Sequence, residues 1–82
     1  MTYVLRNGEI IPRKDVSIDI EDRAYQFGDG IYEVIGVYEG KPFRMNEHLE
    51  RLKRSANAIR IPLPYDVEEL KNKLEQLIVK NK

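Results

Sequence analysis

"IYEVIGVYEGKPFRMNEHLERL", Ile31 to Leu52, holds the turning point of this chain. In its first half Ile31, Tyr32, Val34, Ile35, Val37 and Tyr38 are β-branched or aromatic, types that fit a pleated, half-buried surface. Glu39-Gly40-Lys41 reads as a hairpin loop of about three residues, with a glycine available for the left-handed position. Pro42-Phe43-Arg44-Met45 reads as the returning strand. Then the period changes. Asn46 can accept from early helical N–H groups, and Leu49, Leu52, Ala56 and Ile59 follow at helical spacing as one apolar stripe.

Outward from this junction the same logic extends to both ends. Tyr3–Arg6 and Glu9–Pro12 flank Asn7-Gly8, a dipeptide suited to a type I′ turn because both central residues need positive φ. Pro12 removes a ladder donor and ends the second strand or leaves it at an edge. Val16, Ile18 and Ile20 alternate with Ser17 and Asp19, which predicts a short strand over 16–20. Downstream, Pro62 and Pro64 stop the first helix. Asp66 with Glu69 three residues on has the form of a capping box. Val67, Leu70, Leu74, Leu77 and Ile78 make the stripe of a second helix, and Lys80 and Lys82 suit the negative end of its dipole. The expectation is an α+β fold. Its antiparallel sheet is built from hairpins, with strands near 3–6, 9–12, 16–20, 31–38 and 42–45, followed by helices near 46–60 and 66–80.

Composition narrows the function. The 82 residues suffice for one small domain, 1–82, with a thin core. Fourteen basic and fourteen acidic residues cancel, so there is no electrostatic footprint for nucleic acid or an anionic membrane. With no cysteine and a single histidine, neither a disulfide framework nor a cysteine- or histidine-rich metal site is expected. No apolar run is long enough to span a bilayer, and the first residues lack the pattern of a signal peptide. The expected compartment is the cytoplasm.

Three features bear on chemistry. Gly28-Asp29-Gly30 precedes a strand-like run rather than a helix and lacks the P-loop lysine, so it reads as a sharp turn more readily than as a phosphate cradle. His48 and Arg51, three apart, share one helix face. They could clamp an anion, since a guanidinium fork matches phosphate oxygens, or form an ordinary solvated edge. Tyr32 and Glu33 fall on opposite faces of a strand. The tyrosine either packs or lines a site.

Taken together, Asp22-Arg23, Tyr25-Gln26-Phe27-Gly28-Asp29-Gly30, Tyr32-Glu33 and His48-x-x-Arg51-Leu52 resemble the N-terminal domain of the class IV, fold-type IV pyridoxal-phosphate enzymes. Within that family the likeness is to the D-amino-acid aminotransferase branch. The opening YVLRNGEII and the IRIPLPY stretch also fit. Val34 stands where branched-chain aminotransferases typically have glycine, and aminodeoxychorismate lyases usually lack the Tyr-Glu pair.

The resemblance implies a two-domain subunit whose active site lies between domains of a homodimer, with this chain as the first part of the small domain. It implies transfer of an amino group between a D-amino acid, such as D-alanine, and a 2-oxo acid. Arg51 would bind the phosphate of pyridoxal phosphate, and Tyr32 and His48 would lie at the substrate. The lysine that attaches the cofactor belongs to the large domain, and none of the seven lysines here stands in its context. The chain by itself is therefore expected to hold no cofactor and to be inactive. Exposed strand edges would favour self-association.

Overall fold

A computed structural model describes residues 2–81. Its architecture is α+β, as expected: two antiparallel hairpins and two main helices. The first hairpin pairs β1 (Tyr3–Arg6) with β2 (Glu9–Pro12), and Arg6 faces Glu9 across Asn7 and Gly8. Both turn residues have positive φ, 51° and 85°, so the Asn-Gly signal corresponds to the turn it specifies. A single 3-10 turn, Arg13–Asp15, follows.

Beyond it the chain departs from the strand expectations. Residues 16–20 form no strand. Ile18 and Ile20 are 54% and 85% exposed, and no partner strand offers its backbone groups to this segment among the described residues. Alternation in sequence needs both a ladder and a core to become a strand. Instead, Asp22 caps a short helix, α1 (Arg23–Phe27), its side chain accepting from Ala24 N–H at 2.8 Å. Gly28, with φ of 70°, ends that helix, donating its N–H to Ala24. Gly28-Asp29-Gly30 is thus the exit of a helix that its own sequence did not announce. Arg23 lies over the Phe27 ring and donates to Asp29 at 2.6 Å, which ties the two ends of the turn together.

The strand expected over 31–38 shrinks to β3 (Val37–Tyr38), and its return to β4 (Lys41–Pro42). The connection is two residues, Glu39 and Gly40, rather than three. Residues 31–35 still alternate between half-buried and exposed, the strand period without a ladder.

The two long helices match the sequence well. α2 spans Met45–Ala58 and α3 spans Val67–Lys80. Asn46 is not the N-cap of α2. The cap position is Arg44, in the left-handed region at φ 55°, where the hairpin exit turns sharply into the helix. At the other end Arg60, at φ 59°, closes a Schellman motif: its N–H donates to Asn57, and Ile61 N–H donates to Ala56 at 2.9 Å. The helix has therefore stopped before Pro62 is reached. For α3 the Asp66 side chain accepts from Glu69 N–H at 2.8 Å, as the capping pattern requires. Lys80 lies in its last turn, and Lys82 falls outside the described residues.

The core is small: Met45, Leu49 and Ala56, all on α2, are buried. α3 packs against both α2 and β1. It is also pinned to the first hairpin at two levels. Lys73 donates to the Gly8 carbonyl at 3.2 Å, and Asn81 exchanges hydrogen bonds with the Tyr3 backbone. No described helix is long and apolar enough to cross a membrane.

Candidate functional site

α2 presents two faces. Leu49 and Ala56 bury one of them, which orients the helix and sends His48 and Arg51 to its flank. The spacing of three does bring these two together, and a third residue joins them. Glu33, from the segment before β3, accepts from Arg51 Nε at 2.7 Å through Oε2 and from Arg51 Nη2 at 2.8 Å through Oε1. The same Oε1 lies 2.8 Å from His48 Nδ1. The carboxylate and one whole edge of the guanidinium form a two-bond fork.

Burial is graded across this cluster: the side chain of Glu33 is 8% exposed, that of His48 22% and that of Arg51 59%. The Glu33 carboxyl is lowered from its ordinary 4.5 to about 2, first by the Arg51 hydrogen bond and then by the His48 one. Arg51 is raised in return, chiefly by Glu33. Glu33 is therefore a fixed anion at neutral pH.

Beside this cluster lies an open cavity of about 290 Å³ lined by Arg44, Glu47, His48, Arg51 and Arg54. Three guanidiniums and an imidazole against one carboxylate make this cavity attractive to an anion. Arg44, placed there by its left-handed backbone, lies over the Phe43 ring and sits 3.9 Å from Glu47. The donor set suits a phosphate monoester, which offers several oxygens to guanidinium forks. It offers no amine to form a Schiff base with a carbonyl carbon, because no described lysine is among the residues lining the cavity.

Tyr32 is placed apart. It is 85% exposed, on the opposite face from Glu33, and does not line the cavity. The residue that the sequence reading passed over is Glu33. The available signal was a His–Arg pair in want of an anion and a carboxylate whose strand parity sends it inward.

Comparison with known proteins adds a family. The model of the amino-transferase class IV family matches residues 30–82. A D-alanine aminotransferase of Listeria monocytogenes is 51% identical over 78 residues, 95% of this chain and 27% of its own. Those of Bacillus licheniformis and Staphylococcus haemolyticus are 49% and 48% identical, covering 92% and 99% of this chain. The chain thus spans about a quarter of the length of these curated relatives, 26% and 29% in the last two.

Proposed function

The chain belongs to the class IV aminotransferases, and from that premise we propose that its residues serve a pyridoxal-phosphate-dependent D-amino-acid transaminase. They would form the N-terminal part of the small domain. The observation that carries this reading is the arginine-lined cavity, with Arg51 held along one edge by Glu33 and open along the other.

Pyridoxal phosphate, when bound, supplies the electron-withdrawing ring that lets an amino group pass between a D-amino acid and a 2-oxo acid. This chain's own residues do the holding. Arg51 binds the phosphate, with Arg44 and Arg54 adding positive potential on the same side. His48 and Tyr32 act at the substrate: the exposed Tyr32 hydroxyl donates to the substrate carboxylate, and its solvent-facing side is where a further domain closes over it. The lysine that attaches the cofactor comes from outside these 82 residues, so the chain alone neither retains cofactor nor turns over.

A homodimer in the cytoplasm is part of the same proposal. Ile18, Ile20, Tyr25, Phe27, Tyr32 and Val34 are all more than half exposed, and so much apolar surface along one segment calls for a cover.

A chimera tests the assignment. The matching segment of the Listeria relative is replaced by this chain, and amino transfer is assayed with D-alanine and, separately, with branched-chain L-amino acids. D-alanine turnover that falls sharply in Arg51→Ala, with cofactor lost on dialysis, is the expected result. Activity with the L-amino acids alone would move the chain to the branched-chain enzymes. Full cofactor retention in Arg51→Ala would remove Arg51 from the phosphate site.

A further inference from the structure

Glu33 has no part so far in binding or turnover, yet it touches His48 and Arg51, two of the residues that line the cavity. It is the least exposed of the three side chains. Its contacts run to His48 Nδ1 and to Arg51 Nε and Nη2, and Glu33 itself is not among the residues lining the cavity. An anionic carboxylate does not attract an anion, but it can set how the neighbouring binding groups are presented.

We propose that Glu33 is the positioning residue of the phosphate site, fixing the Arg51 fork and setting the proton of His48 on Nδ1. The inference rests on the reading of the cavity as a cofactor-phosphate site. Two steps lead to it. First, a guanidinium held at Nε and Nη2 by one carboxylate cannot rotate about its last side-chain bond without breaking both bonds. Nη1, which has no partner among the described residues, is thereby aimed rather than mobile. Second, an ionised carboxylate only accepts, so the atom 2.8 Å from Oε1 must carry the hydrogen. With the proton on Nδ1, the neutral ring keeps its lone pair on Nε2, the nitrogen turned away from Glu33. In the absence of such a partner a neutral imidazole has no reason to hold that tautomer. A structural salt bridge alone would stabilise the fold; this arrangement also fixes the Arg51 fork and the ring nitrogen of His48 that carries the proton.

The test uses the intact protein carrying this chain, freed of cofactor, and follows the His48 ring nitrogens by ¹⁵N NMR during titration with inorganic phosphate and then pyridoxal phosphate. Expected in the wild type is Nδ1–H in the neutral ring. Expected in Glu33→Gln is a shift toward Nε2–H and a loss of about tenfold in phosphate affinity, the scale of one charge-assisted contact. A neutral wild-type ring with its hydrogen on Nε2 rather than Nδ1 overturns the proposal without any variant, which covers the case of Glu33→Gln failing to fold. So does a folded Glu33→Gln with unchanged nitrogen shifts and unchanged phosphate affinity. If the wild type binds neither phosphate nor pyridoxal phosphate, the cavity reading itself falls, and this inference with it.

Discussion

Asn81 and Tyr3 stand 78 positions apart and exchange two hydrogen bonds: Tyr3 N–H donates to Asn81 Oδ1 at 2.7 Å, and Asn81 Nδ2 donates to the Tyr3 carbonyl at 2.9 Å. The amide of one side chain serves β1 as a further strand would. Lys80, one residue earlier, lies 4.8 Å from the centre of the Tyr3 ring. Asn81→Ala is therefore expected to cost about 1 kcal/mol and to speed hydrogen exchange at the Tyr3 amide. Asn81→Asp, which keeps only the acceptor, should protect that amide more than alanine does. Equal exchange rates in wild type and alanine variant would show that the pair is not maintained in solution.

Among the described residues Leu49 is the one large side chain that is fully buried, at 1% exposure. Leu49→Ala should cost about 2–5 kcal/mol, a large share of the stability available to a small domain. Since Leu49 lies between His48 and Arg51, the same change should release the Glu33 cluster. Circular dichroism with a urea titration measures the first effect, and the His48 ring signals report the second.

The two glycines of the Gly-Asp-Gly turn should respond differently to alanine. Gly28 sits at φ 70°, where a side chain is strained even though no atom lies within 4 Å of an added Cβ. Gly30 has no such φ, and its added Cβ would meet only Ala24 Cβ at 4.0 Å. Gly28→Ala is expected to lose about 1 kcal/mol from the end of α1, and Gly30→Ala less than about 0.5 kcal/mol. Thermal unfolding of the intact protein ranks them, and the reverse order would refute the helix-exit reading.

Acid should weaken the Glu33 cluster over a defined window. In the folded protein the Glu33 carboxyl titrates near 2 instead of 4.5. Between those values the unfolded chain binds the proton and the folded one does not, so acid favours unfolding there. The contribution is complete above pH 4.5 and lost as pH falls toward 2. The stability difference between wild type and Glu33→Gln should accordingly shrink as pH falls below about 4.5, by less at high salt. A difference that stays constant down to pH 3 would mean that the carboxylate is not held by Arg51 and His48 in solution.

Much of this protein was legible in its residues. Asn7-Gly8 specified a hairpin, the Asp66/Glu69 spacing specified a helix start, and the leucine stripes located both long helices, because each is a local signal that needs no distant partner. The His48–Arg51 face was visible for the same reason. Val16–Ile20 and Ile31–Tyr38 failed as full strands for the opposite reason. Their composition suits a strand, but a ladder exists only where another backbone supplies the hydrogen bonds.

By itself the sequence determined the α+β order, the two helices, the family likeness and the pairing of His48 with Arg51 on one face. Only the tertiary structure decided what that pair holds. Glu33 is 15 residues from His48 and 18 from Arg51, a separation across which no local periodicity operates. The direction of the α2 flank, set by the burial of Leu49, brings the carboxylate together with the imidazole and the guanidinium and so holds one edge of Arg51 against Glu33.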